Sequence, residues 1–227
     1  MRRLVSFALA TGLIHLSHAA APAPSAASAQ THVTPISITK IGKNTFMVRD
    51  PLTMTFNDGA PAITVPAGFV TELASVPKRL QWWKGPTAAS IAPAVFHDYL
   101  YWTQACTQDE ADAVLVHAMA AEGTSSTKDA ALYRAVSGAG SAVFKSNRER
   151  QRDGEIRTFT PEYVALVVRS PVDANETLAS ALRKAQSSSG LVKQDSPSAA
   201  VKLTCARLLQ QCKPCRDHVA KKEKKRR

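Results

Sequence analysis

The chain has 227 residues, a formal net charge of +11, 44% hydrophobic and 6% aromatic residues, and four cysteines. That length suits one domain of about 100–200 residues with appendages. It is not a disulfide-dense mini-scaffold, and no apolar run reaches the roughly 20 residues needed to span a bilayer. The charge is concentrated: residues 199–227 hold ten Lys or Arg against two acids, Arg2 and Arg3 add two more cations, and the rest is nearly neutral. A nucleic-acid-binding fold is therefore not indicated.

In chain order, residues 1–29 read as a signal peptide and linker: Arg2 and Arg3 precede an apolar run from Leu4 to Leu16, followed by small residues. Cleavage after Ala19 or after Ala29 fits equally well. The expected product is exported, to the periplasm or beyond. Residues 32–170 form the expected single domain. Its first part alternates with period two, through Phe46 and Val48, then Leu52, Met54 and Phe56, then Ile63 and Val65. This predicts a small antiparallel sheet with a hairpin at Asn57-Asp58-Gly59. A loop-like segment punctuated by Pro77, Gly85 and Pro86 follows.

Helical signals begin near Ser90, with Pro93 tolerated in a first turn where backbone donors lack helical partners anyway. Ile91, Val95, Phe96, Tyr99, Leu100 and Trp102 nearly surround this helix, which should therefore be central. Thr107 and Glu110 form a capping box for a second helix, with Ala111, Val114, Leu115, Ala118 and Met119 at spacings of three and four, and Gly123 as its stop. The short interval between the two predicts an antiparallel helix hairpin. A third helix is expected over 127–143, and the segment from Tyr163 reads as strand or helix. Residues 171–198 look like a linker, and 199–227 a basic, cysteine-containing tail. The fold class is α+β: a small N-terminal antiparallel sheet, a core helix hairpin and a third helix, with flexible tails.

The chemistry centres on His97 and Asp98, polar residues inside an otherwise apolar helix. His97 and Tyr101 share a face, and Asp112 sits at the border of the second helix's apolar stripe, where it can reach the first. A carboxylate holding an imidazole fixes its tautomer and leaves the other nitrogen to take a proton from water. Asp98, pointing elsewhere, is free to bind a hard cation such as calcium. Glu72 and Ser75 are secondary candidates, since a Ser-His-carboxylate arrangement is another hydrolytic route, although no G-x-S-x-G elbow is present. Thr71 and Ser75 can equally bond loop backbone. His117 reads as a surface residue.

Cys205, Cys212, Cys215 and His218 could supply zinc ligands, but in an exported chain a local disulfide, or one tying Cys106 to the tail, is the stronger expectation. CKPC at 212–215 also has redox-motif spacing, with no βαβ pattern around it. Trp82 and Trp83 would either seat the protein at a lipid interface or cap a core. The basic tail should be a solvated arm able to meet an anionic surface, with no specific nucleic-acid partner.

FVTELASVP at 69–77, FHDYLYW at 96–102 and EADAVLVHAM at 110–119 resemble a bacterial and phage family of unknown function with the core F-x-T-D-x-A-S-x-P, H-D-x-L-Y and A-D-x-x-F, over roughly Phe46 to Phe144. Glu72 stands where that family more often has Asp. More distantly, the H-D-x-x-Y helix followed by a lone Asp is similar to the helix pair of secretory phospholipases of the A2 class. That resemblance implies His97 as the base, Asp98 as a calcium ligand, and Asp112 orienting the imidazole with Tyr101. The chain lacks that family's glycine-rich calcium loop and the cysteines flanking its His helix; only KGPT at 84–87 could supply carbonyls. Two readings follow: an exported hydrolase of lipid esters, or a non-catalytic, phage-derived or envelope-binding module with a structural His-Asp cluster.

Overall fold

A computed structural model describes residues 31–73 except 43, 91–169 except 125, 180, 190, 192–193, and 197–227 except 226. The expected signal segment, Ser75, Trp82, Trp83 and the KGPT stretch lie outside the described residues. The strands are β1 (Thr31–Val33), β2 (Ile38–Lys40), β3 (Phe46–Val48), β4 (Leu52–Phe56), β5 (Ile63–Val65), β6 (Val70–Thr71), β7 (Thr158–Phe159) and β8 (Val192–Lys193). The helices are α1 (Ile91–Thr103), α2 (Gln108–Ala121), α3 (Ser126–Arg152), α4 (Pro161–Arg169), α5 (Ala199–Gln211) and α6 (Lys213–Lys224). The architecture is α+β, with small antiparallel sheets on the N-terminal side followed by helices.

The N-terminal strands make two sheets, ordered β1-β4-β5 and β2-β3-β6. In β4, Leu52, Met54 and Phe56 are buried while Thr53 and Thr55 turn outward, the period-two pattern of a sheet with one face on the core. β5 pairs with it, Leu52 opposite Val65 and Met54 opposite Ile63. The turn between them uses Gly59 at φ 75°, and Asp58 Oδ1 accepts from the Ala60 amide at 3.3 Å. Gly68, at φ 90°, makes the second sheet possible in another way. Its amide donates to Val48, its carbonyl accepts from Phe159, and a Cβ there would overlap the Phe159 carbonyl, so β7 can approach only a glycine.

α2 lies at the centre of the helical layer, packed between α1, α3 and α5. Its capping box is formed: Thr107 accepts from the Glu110 amide while Glu110 accepts from the Thr107 amide. Such a box contributes about 1 kcal/mol and fixes where the hairpin turns. α1 ends at Gln104, a non-glycine residue at φ 53° whose amide side chain donates to the carbonyls of Tyr101 and Phe144.

Two segments differ from the sequence expectation, and a third, left open between strand and helix, is settled. α3 runs to Arg152, not 143, because Phe144 and Asn147 keep a buried stripe going and the Lys, Arg and Glu around them are good helix formers. The segment from Tyr163 is helical, α4, burying Val164 and Val167. The basic segment expected as a solvated arm folds as α5 and α6. Val201, Cys205 and Leu208 enter the main core, Thr204 donates to the Pro61 carbonyl at 2.9 Å, and Arg207 pairs with Asp58. Two disulfides secure it, Cys106–Cys205 and Cys212–Cys215. His117 is not a free surface residue either, since its Nε2 lies 2.9 Å from the Leu208 carbonyl of α5.

Candidate functional site

The hairpin places three of the anticipated residues in one cluster. His97 Nε2 lies 2.8 Å from Asp112 Oδ1, and the Tyr101 hydroxyl donates to the same oxygen at 2.6 Å. His97 and Tyr101 are one turn apart on α1, their ring centroids 4.0 Å from each other, and Asp112 faces them from the first half of α2. Asp112 is fully buried, whereas the His97 side chain keeps 15% of its area open. An ionised carboxylate can only accept, so Nε2 carries a proton and Nδ1 is the basic nitrogen of the neutral ring. Among the described residues nothing hydrogen-bonds to Nδ1.

Asp112 Oδ2 is buried without a hydrogen-bond partner among the described residues. Such a group costs about 1–3 kcal/mol, which a cluster serving stability alone has no reason to retain. Tyr101 is held against Asp112 by Phe144, edge-on at 5.0 Å, and by Gly140 of α3. Burial, and then the adjacent Asp112 carboxylate, push the Tyr101 hydroxyl well above the usual phenol range, so it stays a donor.

A Cβ on Gly140 would overlap the Tyr101 hydroxyl, at the end of a rigid buried ring that cannot swing aside. Gly140→Ala is therefore expected to cost about 1–3 kcal/mol despite the better helix propensity of alanine. Urea denaturation checks this, and a stabilised variant would show that Tyr101 can move.

Asp98 does not point away into open space. The Thr71 hydroxyl of β6 donates to its Oδ2, and His97, Arg157 and Glu72 all act on its charge. Thr71, expected to bond loop backbone, thus joins the second sheet to α1. Arg157 is buried, its guanidinium 4.5 Å over the Trp102 ring and its Nε donating to Glu155 at 3.1 Å; its carbonyl accepts from the Val70 amide. Burial is the leading influence on Asp98 and raises its pKa; the Thr71 bond, His97 and Arg157 oppose that without cancelling it.

The folded chain therefore holds the Asp98 proton more tightly than the unfolded chain does. Its contribution to stability is complete in acid, below the ordinary value of 3.8, and is lost as pH rises through the raised folded value. Asp98→Asn is expected to raise the melting temperature at neutral pH and to change it little below pH 3.8. Thermal denaturation at both pH values checks it, and a lower melting temperature at neutral pH would contradict it.

Calcium takes about six to eight oxygen ligands. Around Asp98 the described residues offer the Thr71 hydroxyl and the nearby Glu72, against a guanidinium and an imidazole, and burial favours the neutral carboxyl. These groups alone fall short of such a set, the KGPT carbonyls lie outside the described residues, and no three His, Cys, Asp or Glu among the described residues are grouped to hold a metal. In the tail the expected disulfides form in place of a zinc set: Cys205 is bonded to Cys106, Cys212 to Cys215, and the His218 ring packs against Tyr133.

A family model described as "Protein of unknown function (DUF1353)" matches residues 46–136. No curated protein and no solved structure matches. The matched stretch includes Thr71, Glu72, His97, Asp98, Tyr101 and Asp112, and ends before Gly140, Arg157 and the two last helices. Sequence reasoning missed Gly140 and Arg157. Gly140 carried only a weak signal, as a small residue inside the expected third helix, and Arg157 had none.

Proposed function

We propose that this protein is an exported hydrolase of carboxylic esters, lipid esters foremost. The single observation that carries the reading is the His97–Asp112 contact at 2.8 Å between separate helices, with Tyr101 on the same oxygen and Nδ1 left on a partly open ring. In this mechanism His97 Nδ1 takes a proton as water oxygen attacks the ester carbonyl carbon. The imidazolium formed is stabilised by Asp112, and its proton then passes to the departing alkoxide as the carbon–oxygen bond breaks. Tyr101 holds Asp112 in place and does not exchange protons. No step is routed through calcium.

Export rests on the N-terminal sequence pattern and is supported by the two disulfides, which persist in oxidising compartments. Lipid esters rest on the likeness to the phospholipase helix pair. The low exposure of the His97 ring favours a second reading, in which the cluster only braces α1 against α2 in a non-catalytic module.

Fatty-acid release from mixed phospholipid vesicles separates them. The native protein should release fatty acid, a chelator should not change the rate, and His97→Ala should lose most of it. Equal release by all three samples would remove the hydrolase. A loss with chelator alone would return a cation to Asp98.

A further inference from the structure

We infer that one end of the helical layer is a composite cationic surface, built by both α3 and α6, that docks on anionic lipid bilayers. The placement follows from three contacts. The Tyr133 ring of α3 meets the His218 ring of α6, centroids 5.5 Å apart. One turn further along each helix, Ser137 Oγ donates to Asp109 Oδ1 at 3.2 Å and Lys222 Nζ meets the same oxygen at 3.0 Å. A step of four residues on α3 is thus matched by a step of four on α6, so the two helices run parallel. Both run past the start of α2, where Asp109 lies. Their C-terminal ends therefore emerge on the same side of the molecule.

Those ends carry the charge. Lys221, Lys224, Lys225 and Arg227 are exposed on or just after α6, and Lys145 and Arg148 are exposed on α3. Asp109, at the junction, is already taken by Lys222 and Ser137, Glu149 sits loosely on Lys145 at 3.8 Å, and Glu223, exposed between Lys222 and Lys224, offsets one of the six exposed cations. A simpler account is that cations near helix C-termini offset the helix dipole, which reaches only the last turn. That covers Lys221 to Lys225. It leaves out Lys145, two turns short of the α3 terminus at Arg152.

Phe144, the aromatic beside Lys145, is buried and lies under Arg148, so among the described residues no exposed ring stands between these cations for bases to stack on. A group of four to eight Lys or Arg on a helical surface is instead suited to a layer of lipid phosphates, each cation near the bilayer strengthening binding about fivefold.

Flotation with vesicles of phosphatidylcholine, with or without phosphatidylglycerol, tests this on the full chain. Strong binding to the anionic vesicles and weak binding to the neutral ones is expected. K221Q/K224Q/K225Q should weaken it roughly 100-fold and K145Q/R148Q roughly 25-fold, with Lys40→Gln on β2 changing little. His97→Ala should bind like the native protein, so failure here is distinct from failure of the catalytic reading. An unchanged K145Q/R148Q would overturn the composite surface. Equal binding to neutral vesicles, or tighter binding to duplex DNA than to anionic vesicles, would overturn the lipid partner.

Discussion

Asp112→Asn is expected to cut ester hydrolysis by about 10²–10⁴-fold, the whole contribution of a general base, while leaving the chain folded with a melting temperature lower by only a few degrees. The two side chains have the same shape, so the α1–α2 interface still closes. They differ in what they do to the ring. As a carboxylate, Asp112 accepts from both His97 Nε2 and Tyr101, which fixes the proton on Nε2 and the lone pair on Nδ1. An amide must face one way. With its oxygen toward His97, the NH₂ occupies the place of Oδ2, where no acceptor exists among the described residues. With the NH₂ toward His97, Nε2 becomes the acceptor, the proton moves to Nδ1, and no base faces the water. Either orientation also removes the negative charge that stabilises the imidazolium. A structural brace predicts the loss of stability alone, with no rate to lose. Vesicle hydrolysis and thermal denaturation on one preparation decide between them, and native-like hydrolysis by Asp112→Asn would end the general-base mechanism.

The parts of this site that were legible in the sequence are those governed by short-range periodicity. The Thr107/Glu110 box sets the α2 start, the four-residue spacing of His97 and Tyr101 gives their shared face, and the position of Asp112 at the stripe border aims it at α1. Each needs only helix geometry and one short turn. The hairpin at Asn57-Asp58-Gly59 was readable for the same reason. Contacts between distant segments were not. The Thr71–Asp98 bond joins residues 27 apart, and Arg157 reaches the site from beyond α3 through β7. Gly140 matters only because Tyr101 arrives there. The last helices were concealed by their own charge: Val201, Cys205 and Leu208 recur at helical spacing, but the Lys and Arg between them dominate any local tally. Their apolar face became meaningful only once α2 was there to receive it, and with it the bond from His117 to α5.

Loss of the Cys106–Cys205 bridge is the second change expected to be large. Its half-cystines are 99 residues apart, and in the chain-entropy account a crosslink closing a loop of about 100 residues stabilises by about 4.7 kcal/mol. The Cys106→Ala/Cys205→Ala double variant should therefore melt roughly 10–20 °C below the native protein. Cys212 and Cys215 are only three residues apart, so the same relation gives about 2 kcal/mol for their bridge, and its removal should cost a few degrees. Thermal denaturation of the two double variants measures the order, and the reverse order would mean that α5 is held by its apolar face and not by its crosslink. The long bridge also bears on the site. Cys106 directly precedes the α2 cap, in the turn that joins the His97 helix to the Asp112 helix, so the crosslink anchors that turn to α5. Without it the turn keeps its capping box, the Gln104 bonds and the Gln108 bond to the Ser137 carbonyl, none of which reaches α5. Hydrolysis by the Cys106→Ala/Cys205→Ala variant should consequently fail at a lower temperature than hydrolysis by Cys212→Ala/Cys215→Ala, since the hairpin that brings imidazole and carboxylate together is then the first element free to open.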